Sequence, residues 1–401
     1  MSDDPLSKSK YMHEAKAQIP LRINDEMIEA ATYRIEKVDS NSGYQAEKKY
    51  KAAQKWIEAL DKGYVWLSVA GAATPVGFGG LFADMIERGM ADAIVTTGAN
   101  GYHDLEFGFG LPVRHGSCKV DDNDLRADET TRIYTQFIHN RLTLKAGDMI
   151  VQDYSRKILP KLKKPFSSAS FLHAFGEEMN NDNSGIVVDK QGSFIARSAK
   201  YNVPVFLDSG SNHSIGMNLL ALRLEGCDAD ISPTQDLLEA SALCMRTQPQ
   251  INVFLGEGGP RNFTQTTAPT ASEIFSIPFE GSEGCIRFTT ADERCGALSG
   301  STQSEAVSWG KYVDNNPERD IEVWGDYTLT APDVIAYVAG KVNRKPQGLM
   351  RELDNLTKEF IQLVREHRPE VIASQNELRK MLPDILRHEV EARKKAGYNF
   401  D

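Results

Sequence analysis

Val65-Trp-Leu-Ser-Val-Ala70 is a short, largely apolar run of strand length, and the thirty residues after it decide the fold. Gly71 to Pro75 reads as a turn, Gly77 to Met90 as a helix, and Asp92-Ala-Ile-Val-Thr-Thr97 as a second strand ending in Gly98-Ala-Asn-Gly101. Strand, small-residue turn, helix and strand make a βαβ unit, which implies a parallel sheet with right-handed crossovers. The pattern returns later in the chain. Val203-Pro-Val-Phe-Leu-Asp208, Pro249-Gln-Ile-Asn-Val-Phe-Leu255, Cys285-Ile-Arg-Phe-Thr-Thr290 and Ile321-Glu-Val-Trp324 read as strands, each with Gly, Ser, Thr, Asn or Asp at its carboxyl end. The expected architecture is α/β, a Rossmann-like parallel sheet of about six strands flanked by helices.

Working outward, residues 1–63 are polar and charged, and Ser2 to Lys10 is expected to be mobile. Ala52, Trp56, Ile57 and Leu60 have helical spacing between Gln45 and Leu60, and Gly63 stops that helix. Residues 103–160 interrupt the alternation. Within them Asp104-Leu-Glu-Phe-Gly108 and Thr130-Thr-Arg-Ile-Tyr-Thr-Gln-Phe-Ile138 read as helical, as does Ser168 to Asn180 beyond. Past Lys345, Leu349, Leu353, Leu356, Phe360, Leu363 and Val364 trace one helical face. A second helix is expected over Gln375 to Arg393, broken or kinked at Pro383. The expected organisation is an N-terminal helical extension (1–63), a catalytic domain (64–344) and charged C-terminal helices (345–401).

The 401 residues are 41% hydrophobic and 25% charged, which reads as an ordinary soluble globular protein. A net charge of −10 argues against a nucleic-acid partner, whose phosphates need a basic face, and suits cationic substrates. Cys118, Cys227, Cys244, Cys285 and Cys295 form no CxxC pair, and the histidines form no HExxH. Reduced thiols, no metal site and a cytoplasmic location are expected. The start, Met-Ser-Asp-Asp-Pro, does not read as a signal peptide, and no run approaches the roughly 20 apolar residues of a membrane span.

In open α/β sheets ligands sit beyond the carboxyl ends of the strands. That rule gathers Gly71, Thr97, Asn212, Gly258, Thr290 and Asp326 around one mouth, although each is also an ordinary turn former. There is no GxGxxG and no P-loop, and Gly256-Glu-Gly-Gly259 is too short to count as either. The chemistry concentrates in Gly296-Ala-Leu-Ser-Gly-Ser-Thr-Gln-Ser-Glu-Ala-Val-Ser-Trp-Gly-Lys311. Its small residues allow close backbone approach, and Glu305, Trp309 and Lys311 can bind a cation, exclude water and attack a carbon-nitrogen double bond.

Glu305-Ala-Val-Ser-Trp-Gly-Lys311 resembles the catalytic signature of the deoxyhypusine synthase family, in which the lysine forms an imine with the butylamine fragment of a polyamine. The resemblance runs from about Tyr64 to Lys341 and takes in Val95-Thr-Thr97, Val205-Phe206, Ser214-Ile-Gly216, Gly256 to Gly259, Thr290-Ala291 and Gly325-Asp326. It implies a deoxyhypusine synthase-like fold, NAD as cofactor, small amine substrates, and a homotetramer with active sites between paired subunits. By resemblance, Gly71, Thr97, Gly98, Asn212, Gly258, Thr290, Ala291, Asp326 and Tyr327 would line the cofactor. Lys311 would be the nucleophile, Glu305 the cation anchor, Trp309 the wall of the site and His103 a proton carrier. Asp104, Glu106, Asp208 and Glu257 are further carboxylates for a guanidinium.

Several positions depart from the family pattern. Asn212 and Met217 stand where it has acidic residues, Asn262-Phe263 where it has a histidine pair, Leu298 where it has Asp, and Tyr102-His103 where it has a Glu pair. An ammonium buried without a carboxylate is costly, so spermidine fits poorly as donor. Tyr102-His-Asp-Leu105, Val120-Asp-Asp122, Arg132-Ile-Tyr134, Ser214-Ile-Gly-Met-Asn218, Gly258-Gly-Pro-Arg-Asn-Phe263 and Leu298-Ser-Gly300 are similar to the bacterial deoxyhypusine synthase-like branch. That branch is associated with homospermidine formation, including condensation of agmatine to a bis-guanidino compound, a 1,9-bis(guanidino)-5-aza-nonane synthase-like activity. The expected function is therefore an NAD-dependent transfer of a guanidinobutyl or aminobutyl group from agmatine or putrescine to a second amine through Lys311. The alternatives are modification of a protein lysine with spermidine, and a non-catalytic NAD- or polyamine-binding protein.

Overall fold

Apolar runs without strict alternation suit strands covered on both faces. The computed structural model, which describes residues 5–400, places those runs in such strands. The strands are β1 (Tyr64–Val69), β2 (Ala93–Thr96), β3 (Val113–His115), β4 (Thr130–Ile133), β5 (Gln136–His139), β6 (Val205–Leu207), β7 (Gln250–Leu255), β8 (Gly284–Thr289) and β9 (Asp320–Trp324). Among the described residues they form a six-stranded sheet in the order β6-β2-β1-β7-β8-β9 and a three-stranded sheet in the order β3-β5-β4. Every pairing in the larger sheet is parallel, as the βαβ reading predicts.

Side chains alternate across a strand, and β1 shows what each face buries. Val65, Leu67 and Val69 enter a core with Trp56 and Leu60 of the helix Tyr44–Lys62 and Val334 and Ile335 of the helix Tyr327–Lys341. Trp66 points the other way, into a core with Phe206, Leu243, Leu353 and Phe360, and its indole N–H donates to Thr247 Oγ1 at 3.0 Å. The leucine stripe after Lys345 is part of this second core and covers the sheet through the helix Leu353–Glu366.

The strand order reverses at β1. From it the sheet grows through β2 and β6 on one side and through β7, β8 and β9 on the other. A reversal of this kind leaves a crevice between the carboxyl ends of the two strands that flank it, here β1 and β7.

Three local readings need correction. Thr130 to Ile138 is not a helix but the hairpin β4–β5, with Arg132 opposite Phe137. Its β-branched Thr130, Thr131 and Ile133 favour strand, and Tyr134 makes the turn at a left-handed φ of 52°. The helix Arg368–Lys395 runs through Pro383 without a break and has no buried residue; an exposed helix can leave the carbonyl that proline deprives of its partner to water. Of the stretch expected to be mobile, residues 1–4 lie outside the described residues. Beyond them Leu6 packs with Met12, Leu125 and Phe137, and Ser9 Oγ donates to Asp128 Oδ2 at 2.6 Å.

Candidate active site

Lys311 is held by its backbone before its side chain does anything. The short helix Gln303–Ser308 starts at Thr302, whose hydroxyl accepts from the Glu305 N–H at 3.1 Å. Gly310, at a φ of 69°, ends that turn and sends the chain back along the start of β8. There the Lys311 carbonyl accepts from Ser282 N at 3.1 Å, and Ser282 bridges Tyr312 in parallel register. Tyr312 is buried, and its hydroxyl accepts from Gln265 Nε2 at 2.9 Å. The nucleophile candidate thus projects from a fixed main chain.

The half-buried side chain of Lys311 enters a cavity of about 500 Å³ lined by Asn262, Cys295, Leu298, Glu305 and Trp309, among others. Its Nζ donates to Asn262 Oδ1 at 3.4 Å and lies 6.0 Å from the Trp309 ring centroid. Burial first, and then the positive charge of Arg261, lower the Lys311 pKa, while Glu305 opposes them. An amine shifted in that direction is a better nucleophile at neutral pH.

A second cavity, of about 260 Å³, opens at the strand ends beside β1 and β7. Gly71, Gly256, Thr290, Ala291, Asp326 and Tyr327 are in its wall. Gly71 and Gly256 have left-handed φ values of 74° and 72°. A Cβ on Gly71 would come within 3.3 Å of the Tyr327 hydroxyl, and one on Gly256 within 3.4 Å of the Tyr327 ring and of Ala70. The floor of this cleft is therefore main chain. Burial and then Asp326 push Tyr327 up to about 12, so its hydroxyl stays neutral and donates to the Ala70 carbonyl at 3.0 Å. Asp326 caps the helix Tyr327–Lys341, Oδ1 accepting from Thr328 N at 2.8 Å. The two cavities share a loop: Ser299 lines the cleft, and Leu298, Gly300 and Ser301 line the lysine pocket.

Within this chain the expected single mouth is divided. Gly71, Thr290, Ala291, Asp326 and Tyr327 meet in the cleft, and Lys311, Glu305 and Trp309 meet in the pocket. Gly258 adjoins the cleft residues Gly256 and Glu257, at a φ of 80° with no atom within 4 Å of a built Cβ. Thr97, Gly98, Asn212 and His103 line neither cavity. They follow β2 and β6, on the other side of the reversal. Thr97 caps the helix Gly98–Gly108 by accepting from Asn100 N, and Gly98 lies under the His213 ring, where a Cβ would be 2.0 Å from Cδ2. Asn212 is exposed. His103 Nδ1 pairs with Glu106 Oε1 at 2.9 Å.

None of the four further carboxylates reaches the lysine pocket. Asp104 is fully buried and accepts from Ser193 Oγ, Phe194 N and Ile195 N, so it caps the helix Phe194–Tyr201. Glu106 is committed to His103 and Glu257 to Arg261. Asp208 lies against Gly259. The additional carboxylate in the pocket is Glu293, which no sequence motif singles out. A local signal does exist: in Asp292-Glu293-Arg294, Asp292 and Arg294 pair with each other at 2.6 Å, leaving Glu293 for the cavity. Of the departures from the family pattern, Asn262 and Leu298 face the pocket. Phe263 packs on Phe206 with the rings tilted and their centroids 6.0 Å apart, and Met217 is exposed on the helix Ser214–Leu224.

The family model for deoxyhypusine synthase matches residues 35–338. A deoxyhypusine synthase-like protein of Nostoc punctiforme is 33% identical over 309 residues, spanning 74% of this chain and 78% of the relative. One from a second Nostoc strain is 34% identical over 289 residues, with 70% and 74% covered. "Probable deoxyhypusine synthase 2" of Methanosarcina acetivorans is 28% identical over 312 residues, with 77% and 86% covered.

Proposed function

The chain belongs to the deoxyhypusine synthase family of aminobutyl transferases, and on that footing we propose that it moves a guanidinobutyl or aminobutyl group between small amines through an imine on Lys311. The observation that carries this reading is the lysine pocket. Lys311 is half-buried with a lowered pKa, Trp309 lies beside it, and Glu305 and Glu293 supply negative charge around an otherwise largely apolar cavity.

The proposed cofactor is NAD, in the strand-end cleft. The residues there fit such a group: a main-chain floor at Gly71 and Gly256 that a Cβ would fill, Thr290 and Ala291 beside it, and the carboxylate of Asp326 for ribose hydroxyls. The chemistry such a dinucleotide supplies when bound is reversible hydride transfer at the carbon that carries the donor's nitrogen.

The chain's own residues do the rest. Glu305 and Glu293 hold the donor's cationic end, and Trp309, 63% exposed in the single chain, offers its ring face to that cation beside Lys311. The neutral Lys311 amine adds to the carbon of the donor-derived imine. The tetrahedral adduct expels the donor's amine or guanidine, which leaves with a proton, and a C=N bond to Lys311 remains. A second amine then adds to that carbon and displaces Lys311, which regains its proton. Asn262 Oδ1 is placed to orient the Lys311 N–H during both additions. Leu298 in the pocket, where the family pattern has Asp, supports a shorter donor such as agmatine or putrescine over spermidine.

The test is reductive trapping. The protein is incubated with NAD⁺ and agmatine, putrescine or spermidine separately, then with borohydride, and the mass of the Lys311 peptide is measured. A guanidinobutyl adduct supports agmatine as donor, and an aminobutyl adduct supports putrescine or spermidine. Absence of any adduct with all three amines, or an adduct that persists in Lys311→Arg, overturns the covalent mechanism.

A further inference from the structure

Arg261 lies between the two cavities, in the first turn of the helix Gly259–Pro269, with 3% of its surface exposed. Its Nη1 donates to Glu257 Oε2 at 2.7 Å, and its Nη2 donates to the Ser301 carbonyl at 2.7 Å. Glu257 lines the strand-end cleft and Ser301 lines the lysine pocket. One planar guanidinium therefore ties the wall of the first to the loop of the second. The next residue, Asn262, is the one that Lys311 Nζ touches. The guanidinium also lies over the Phe254 ring, 5.7 Å from its centroid.

A lysine could not do the same. Its single ammonium has no rigid fork to reach two acceptors in different directions, whereas the guanidinium is planar and stays charged at any working pH. Nor is the charge fully cancelled by Glu257. The other oxygen of that carboxylate lies 3.7 Å from Arg287 Nη1, and Arg287 is held by Glu322 at 2.6 Å and Asp320 at 3.6 Å. The other charged or titratable groups near Lys311 are Glu305 on its own helical turn, Glu293 and Cys295 on the loop, and Glu273 beside Gly310.

We infer that Arg261 is a positioning residue for the lysine chemistry: it fixes the pocket loop to the cofactor-side cleft through Ser301 and Glu257, and it keeps a permanent positive charge beside Lys311. This inference rests on the reading of Lys311 as the nucleophile. Burial is the first cause of the lowered pKa of Lys311, and the charge of Arg261 adds to it against the opposing pull of Glu305.

The experiment separates the inference from that reading by measuring Lys311 without any substrate. Acetic anhydride in limiting amount acylates neutral amines, and the Lys311 peptide reports the rate as a function of pH. Arg261→Lys and the double variant Arg261→Met with Glu257→Gln are compared with the wild type, each after thermal melting establishes that it is folded. The double variant removes both buried charges together, so that neither is left unpaired. Acylation of Lys311 at pH 7 is expected to be slower by roughly two- to fivefold in the double variant, less than removal of one charge alone would give because the opposing charge of Glu257 leaves with that of Arg261. Arg261→Lys keeps the charge and is expected to acylate near the wild-type rate, while its KM for the amine donor rises because the loop is held by fewer hydrogen bonds. A folded double variant that acylates Lys311 at the wild-type rate across pH overturns the inference, and so does Arg261→Lys if it is as slow as the double variant. Dependence of acylation on Arg261 with no borohydride adduct in the wild type overturns the reading of Lys311 as nucleophile but upholds the electrostatic role of Arg261.

Discussion

Gly281→Ala is expected to disable Lys311 from a position that touches no substrate. A Cβ at Gly281 would sit 2.6 Å from the Lys311 carbonyl oxygen, 2.7 Å from its carbon and 3.0 Å from the Tyr312 nitrogen. All three are main-chain atoms, so no side chain can swing aside. The backbone at Gly281 has a φ of 90°, and a left-handed conformation by itself costs an alanine about 1–2 kcal/mol. Relief of the contact must pull the Ser282–Tyr312 bridge apart, which breaks the bonds from Ser282 N to the Lys311 carbonyl and from Val313 N to the Ser282 carbonyl. At about 1 kcal/mol per bond, the total is roughly 3–4 kcal/mol. Differential scanning calorimetry should then show a fall of roughly 4–5 °C in melting temperature for a chain of this length. Displacing the lysine by about 1 Å should cost on the order of 100-fold in the rate of borohydride trapping. Gly296→Ala is the matched control. It has no atom within 4 Å of its built Cβ and lacks a left-handed φ, so it should melt as wild type. If Gly281→Ala melts like Gly296→Ala and traps like the wild type, the claim that Lys311 is set by its main chain is wrong.

Three further outcomes are expected. Asp236 is buried with Oδ2 unpartnered among the described atoms, and burial raises its pKa to about 7. Because the folded-state value lies above the unfolded one, ionisation costs stability increasingly from about pH 4 to pH 7. Asp236→Asn should therefore raise the unfolding free energy measured in urea at pH 8 by about 1–2 kcal/mol, and not at pH 4; an equal gain at both pH values would refute the assignment. Glu293→Gln should raise KM for a dicationic donor roughly tenfold with little change in kcat, as loss of a uniform binding contact does; steady-state kinetics with agmatine test this, and an unchanged KM would remove Glu293 from the site. Deleting the residues after His367 removes a helix with no buried side chain, so the melting temperature should move by no more than about 2 °C, a surface-scale effect; a large fall would mean that the helix buries surface in the assembled protein.

The parallel sheet is legible in the sequence because strands buried on both faces are mostly apolar without strict alternation. Val65 to Val69 and Gln250 to Leu255 carry that mark in their composition alone, and both are strands. The region from Thr130 to Ile138 reads wrongly as helix because its periodicity is ambiguous over so few residues. The left-handed turn at Tyr134, which decides the matter, has no glycine to announce it. Within the site, Lys311, Glu305 and Trp309 lie so close in sequence that a short helix and the turn at Gly310 bring them to one cavity. Glu293 and Arg261 are hidden in the sequence for opposite reasons. Glu293 reaches the pocket only through the course of its loop in the fold, and Arg261 acts across 40 positions of sequence, on the Ser301 carbonyl.

What the amino-acid order alone determined is the class of sheet, the boundaries of its strands to within a residue or two, and the short run that bears the lysine. These are local properties, set by side-chain burial and by chain turns a few residues long. What only the tertiary structure decided is which strand ends are neighbours. The reversal at β1 puts Gly71 beside Gly256 and Asp326 while sending Thr97 and Asn212 to the other side. The same packing turned Asp104 into a helix cap and Arg261 into a tie between two cavities. A carboxylate or a guanidinium in a sequence has no fixed role until the fold selects the groups that hydrogen-bond to it, the charges near it and the surface that buries it.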